Sequence, residues 1–69
     1  MLRMLVYAAA EFGALPFLEM IFASTAGKVV FHDYKDSSPL PELIAWNHGH
    51  EETAHYLESI TKRYSYLVR

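Results

Sequence analysis

Residues 44–57 read Ile44-Ala45-Trp46-Asn47-His48-Gly49-His50-Glu51-Glu52-Thr53-Ala54-His55-Tyr56-Leu57. A short helix-forming run meets a glycine, and a second helical run begins within two residues. Glycine tolerates the left-handed backbone that ends a helix, so it lets the chain reverse there. Beyond the turn, Ala54, Leu57, Ile60 and Tyr64 recur at helical spacing and form one apolar stripe. The spacing predicts a helix from Glu51 at least to Arg63. Glu51 and Glu52 stand at its positive end, and Lys62 and Arg63 lie near its negative end. Each placement favours the helix dipole by about 0.3–1 kcal/mol. The stretch therefore reads as a helical hairpin hinged at Gly49.

Working outward, the first helix of that hairpin starts at Pro39 or at Pro41. Ser38 is a good N-cap for the first choice, whereas Leu40 is a poor one for the second. The amino-terminal half repeats the design. Leu5-Val6-Tyr7-Ala8-Ala9-Ala10-Glu11-Phe12-Gly13 is a short helix closed by glycine, predicted over Leu2–Phe12. A second helix opens at Pro16, fades at Ser24 and Thr25, and stops at Gly27. Its Phe17, Leu18, Met20, Ile21 and Phe22 wrap most of the circumference, which predicts a nearly fully buried helix. Between the halves, Val29, Val30 and Phe31 favour extended backbone and Asp33, Asp36, Ser37 and Ser38 favour turns. Lys28 to Ser38 is therefore expected to form an extended, β-like finger. The tail from Tyr64 to Val68 is expected to extend the last helix or to cap its stack.

Gly13 and Gly49 stand 36 positions apart, a period that marks stacked repeats. The residues that recur resemble the ankyrin repeat. Pro41, Ala45, Gly49, His50 and Leu57 match its proline, alanine, Gly-His and second-helix leucine, and Leu5–Ala10 with Gly13 match the first half of a preceding repeat. There are departures: Leu40 replaces threonine, Leu43 replaces the motif's histidine, and Trp46 replaces a small alanine, so that packing loosens there or the ring faces out. The resemblance implies an all-α fold of two stacked antiparallel helix-loop-helix ankyrin-type repeats with a long connecting finger. It makes residues 1–69 one domain, with repeat one over about 2–35 and repeat two over about 36–69. The expected core is Ala9, Phe17, Leu18, Ile21, Ala45, Ala54, Leu57 and Ile60.

The resemblance also implies an intracellular, cytoplasmic scaffold or adaptor fragment that binds another protein, or a second copy of itself, without catalysis. The alternative is a structural segment capping a longer array. By position, the family's contacts fall on His32, Asp33, Tyr34 and Lys35 in the finger, and on Glu11, Phe12, Asn47 and His48 on the helices. Phe31, Tyr34 and Trp46, with Tyr64 and Tyr66, join the candidates as aromatics, the residue type enriched in interface hot spots.

Composition narrows the other classes. The chain has 69 residues and no cysteine, so neither disulfides nor thiolate metal sites support its small core. Its hydrophobic share, 52%, exceeds the usual ~45–50%, which leaves apolar surface for a partner to cover. Net charge is −2 and the six basic residues are scattered, so no cationic stripe suits nucleic acid. Arg3, Glu11 and Glu19 interrupt the apolar amino-terminal stretch, against a membrane span or signal sequence. A metal-dependent hydrolase is the third reading, resting on His48, His50 and His55. A helical zinc site of the His-Glu-x-x-His type needs histidines four apart, but Ala54 follows His50 at that distance and His55 comes one residue late. His50 is then structural, and His48 and His55 are solvated. The serines lack a Gly-x-Ser-x-Gly elbow, three glycines form no phosphate loop, and Asp33 and Asp36 are explained by a turn. No cofactor, metal or small-molecule substrate is expected.

Overall fold

The computed structural model describes residues 2–68, with side chains from Arg3 to Ser65. Five helices follow one another: α1 Leu2–Phe12, α2 Leu15–Ala23, α3 Ala26–Tyr34, α4 Pro41–Asn47 and α5 Glu51–Val68. The described residues are all-helical, without strands.

α1 and α4 end in the same way. Gly13 and Gly49 take φ of 70° and 78°. The next N–H in each case reaches back to the helix, Ala14 to the Ala9 carbonyl and His50 to the Ala45 carbonyl, both at 2.9 Å. This six-to-one bond over a left-handed glycine caps carbonyls that would otherwise be unpaired. All three residues of one cap correspond to those of the other at the 36-residue offset read from the sequence. α4 begins at Pro41, so Leu40 occupies the N-cap without a side-chain bond. Proline's fixed φ and missing N–H make the first helical turn permissible there.

α4 packs on α5 and on α1, and α2 meets α5. The two hairpins thus lie side by side with like helix against like. Ala9 and Ala45, both buried, stand at equivalent positions. Of the expected core, Ala9, Leu18, Ala45, Ala54, Leu57 and Ile60 are buried, and Ile21 is partly buried against them.

The connection differs from expectation. Lys28–Ser38 is not a projecting finger: Ala26–Tyr34 is α3, which packs on α1, α2 and α5. Gly27 does not stop a helix but lies buried in the first turn of α3, against Phe22. Gly27, Val30, Phe31 and Tyr34 follow one another at helical spacing and are all buried. Burial of that face outweighs the intrinsic strand preference of valine and phenylalanine. Phe31 stacks on Tyr64 with ring centroids 5.4 Å apart and meets Tyr34 edge-on at 5.3 Å. α2 is not buried all round, since Phe17 and Met20 face solvent, Met20 at 69% exposure.

Candidate functional site

The structure divides the interaction candidates. Phe31 and Tyr34 are core residues, at 3% and 0% exposure, and do not present themselves to a partner. His32 and Asp33 are exposed on α3. Lys35, partly buried at its end, pairs with Asp36 at 3.3 Å. Phe12 is exposed at the end of α1, and Trp46, Asn47 and His48 are exposed at the end of α4. Tyr64 is buried in the core, and the Tyr66 side chain lies outside the described residues.

Trp46 faces out. Its indole Nε1 donates to Glu58 Oε2 at 2.8 Å, and its ring meets His55 edge-on with centroids 5.0 Å apart. Both anchors come from one face of α5, where His55 and Glu58 are three residues apart and approach to 3.9 Å. The ring is thus fixed in direction yet 37% exposed. Leu43, one turn earlier on α4, is 48% exposed, and Asn47 follows Trp46 at the surface. Leu43 was absent from the sequence-derived set; its spacing of three from Trp46 is the signal that finds it.

The histidines hold separate posts. His50 Nε2 lies 3.1 Å from the Glu11 carbonyl, and its ring covers Gly13, linking the two glycine turns. His48 Nδ1 lies 3.0 Å from the Ile44 carbonyl. A carbonyl only accepts, so Nε2 of His50 and Nδ1 of His48 carry protons. His55 supports Trp46. No group of three or more potential ligands able to hold a metal ion occurs among the described residues.

A cleft of about 330 Å³ opens between the two turns, lined by Gly13, Leu15, His50, Glu51, Glu52 and Thr53. The carboxylates there sit at the amino end of α5, where they offset its dipole. Elsewhere, Glu42 Oε2 accepts from Thr61 Oγ1 at 2.8 Å and ties α4 to α5, while Tyr7 donates its hydroxyl to the Pro39 carbonyl at 2.6 Å. These bonds hold elements together. No described helix is long and apolar enough to cross a membrane.

Comparison of the chain with protein-family models, curated proteins and solved structures returns no match.

Proposed function

We propose that this chain is a protein-interaction module built on two ankyrin-type helical hairpins, with its partner docking on the surface centred on Trp46. Its role is binding rather than catalysis. The observation that carries the reading is the anchored, half-exposed indole. Tryptophan is enriched among residues that dominate binding energy. A ring already held by Glu58 and His55 loses little conformational freedom on docking, which favours affinity. Leu43 and Asn47 supply an apolar contact and a hydrogen-bonding group beside it. The repeat reading is supported by the matching glycine caps, by Ala9 and Ala45, and by like-on-like helix packing; the helical α3 departs from it.

The test is cross-linking in cell extract with tagged wild-type chain and with a Leu43→Glu/Trp46→Ala double variant. Both substitutions lie at exposed positions, so circular dichroism should be unchanged. Bands captured by the wild type and lost in the variant are expected. Identical capture by both removes Trp46 from the interface.

A second reading, a closing segment of a longer hairpin stack, has a specific observation in its favour. Glu52, His55, Ser59 and Lys62 are all exposed on α5, and terminal repeats carry polar outer faces. Under that reading, chains extended by preceding hairpins gain solubility and melting temperature, and no partner is captured.

A further inference from the structure

The two hairpins are alike in build but unlike in what covers them. In the second, Pro41 and Thr53 are buried and Leu40, Ile44 and Tyr56 are partly so, Tyr56 meeting Phe22 of α2 at 6.3 Å. At the 36-residue offset their counterparts in the first hairpin are Leu5, Phe17, Met4, Ala8 and Met20. Every one of these is exposed. The first hairpin therefore leaves bare the side that the second hairpin turns inward. Phe12, whose counterpart His48 is also exposed, extends the bare side of α1.

We infer that this side is covered by the same side of a second copy of the chain, in a two-fold dimer. Three observations favour that occupant. The first is area. Met4, Leu5, Phe12, Phe17 and Met20 are 68%, 46%, 74%, 38% and 69% exposed. At about 200 Å² per large side chain they present on the order of 600 Å² of apolar surface. That reaches the upper end of patches on ordinary monomers, about 300–600 Å². Two copies bury roughly 1,200 Å² together, the lower end of the range for specific interfaces.

The second observation is that the opposite side of the molecule does not match it. There α5 shows Glu52, His55, Ser59 and Lys62, and Trp46 is bonded to Glu58. Copies stacking head to tail would set apolar side chains on charged ones. Like on like closes at two and covers this apolar side in both copies.

The third is the pattern along α1. Met4, Ala8 and Phe12 lie on one stripe, large, small, large. An antiparallel pairing centred on Ala8 brings the helices close at the small residue. It sets Met4 against the other copy's Phe12 twice, a favourable sulfur–aromatic contact. This surface is separate from the one around Trp46, and the dimer stands or falls without it.

Sedimentation equilibrium on the full chain, from about a micromolar to a few hundred micromolar, tests the inference. Wild type and Trp46→Ala should approach twice the monomer mass, and a Phe12→Glu/Met20→Glu variant should remain monomeric with unchanged helical dichroism. Should that variant fail to fold, peroxide oxidation of the wild type decides. Sulfoxide formation at Met4 and Met20 should slow several-fold as the concentration rises through the dimerisation range. A wild type that stays monomeric throughout, a folded double variant that still dimerises, or oxidation rates independent of concentration would overturn the dimer.

Discussion

The Tyr34 hydroxyl is buried without a hydrogen-bond partner among the described residues, and so is Oε1 of Glu42. An unpaired buried polar group costs about 1–3 kcal/mol. Tyr34→Phe removes the hydroxyl and keeps the ring that meets Phe31, Phe22 and Tyr7. It should leave stability unchanged or raise it, by up to about 1–3 kcal/mol in urea titration. Tyr34→Ala also removes the ring and should cost about 3–5 kcal/mol, by analogy with buried phenylalanine. The same residue sets an alkaline limit. Burial first, and then the Glu42 carboxylate, raise the Tyr34 hydroxyl above its ordinary pKa of 10.0. Below about pH 10 folded and unfolded chains both keep the proton, and stability is intact. Above it the unfolded chain ionises first, so stability falls as pH rises toward the folded value. Urea midpoints should decline across that window in wild type and decline less in Tyr34→Phe. Some slope remains, because burial raises Tyr7 and Tyr56 in the same direction.

Between elements, one contact that joins the hairpins is a histidine over a glycine. A β-carbon at Gly13 would lie 2.6 Å from His50 Nδ1, whereas one at Gly49 would meet nothing within 4 Å. Both positions carry left-handed backbone. Gly49→Ala should therefore cost only the backbone strain, about 1–2 kcal/mol. Gly13→Ala should cost more, because it also pushes the His50 ring off the Glu11 carbonyl. In a His50→Ala background the excess should shrink, giving a coupling energy of about 0.5–3 kcal/mol in a double-mutant cycle. Equal costs at the two glycines would disprove the contact. These turns were legible in the sequence because glycine and its neighbours carry the signal locally, as were α1, α5 and most of the core. α3 was not. Its valines and phenylalanine have strand propensity, and the residues around Asp36 form a true turn, so local preference pointed to a finger. The helical order of Gly27, Val30, Phe31 and Tyr34 was present, but its meaning depends on a core that other elements supply. Trp46 was legible as a candidate; the Glu58 and His55 that fix it join α4 to α5, which no spacing along one helix reveals.

For the whole molecule, α3 is the connecting element that packs against both hairpins. Through one buried face it packs on α1, α2 and α5. Phe31 and Tyr34 bring it to Tyr64 and to Tyr7 and Phe22. A 69-residue chain at ~0.05–0.15 kcal/mol per residue has only about 3–10 kcal/mol of total stability. Phe31→Ala, losing a ring at 3% exposure, should cost about 3–5 kcal/mol. Leu57→Ala, at a fully buried site of α5, should cost about 2–5 kcal/mol. Either loss is comparable with the whole. If α3 couples the hairpins, the Phe31→Ala chain loses amide-exchange protection in α1 and α5 together, in one transition. Protection that persists in α4 and α5 while α1 and α2 exchange freely would mean the second hairpin stands alone, and α3 only lies against it.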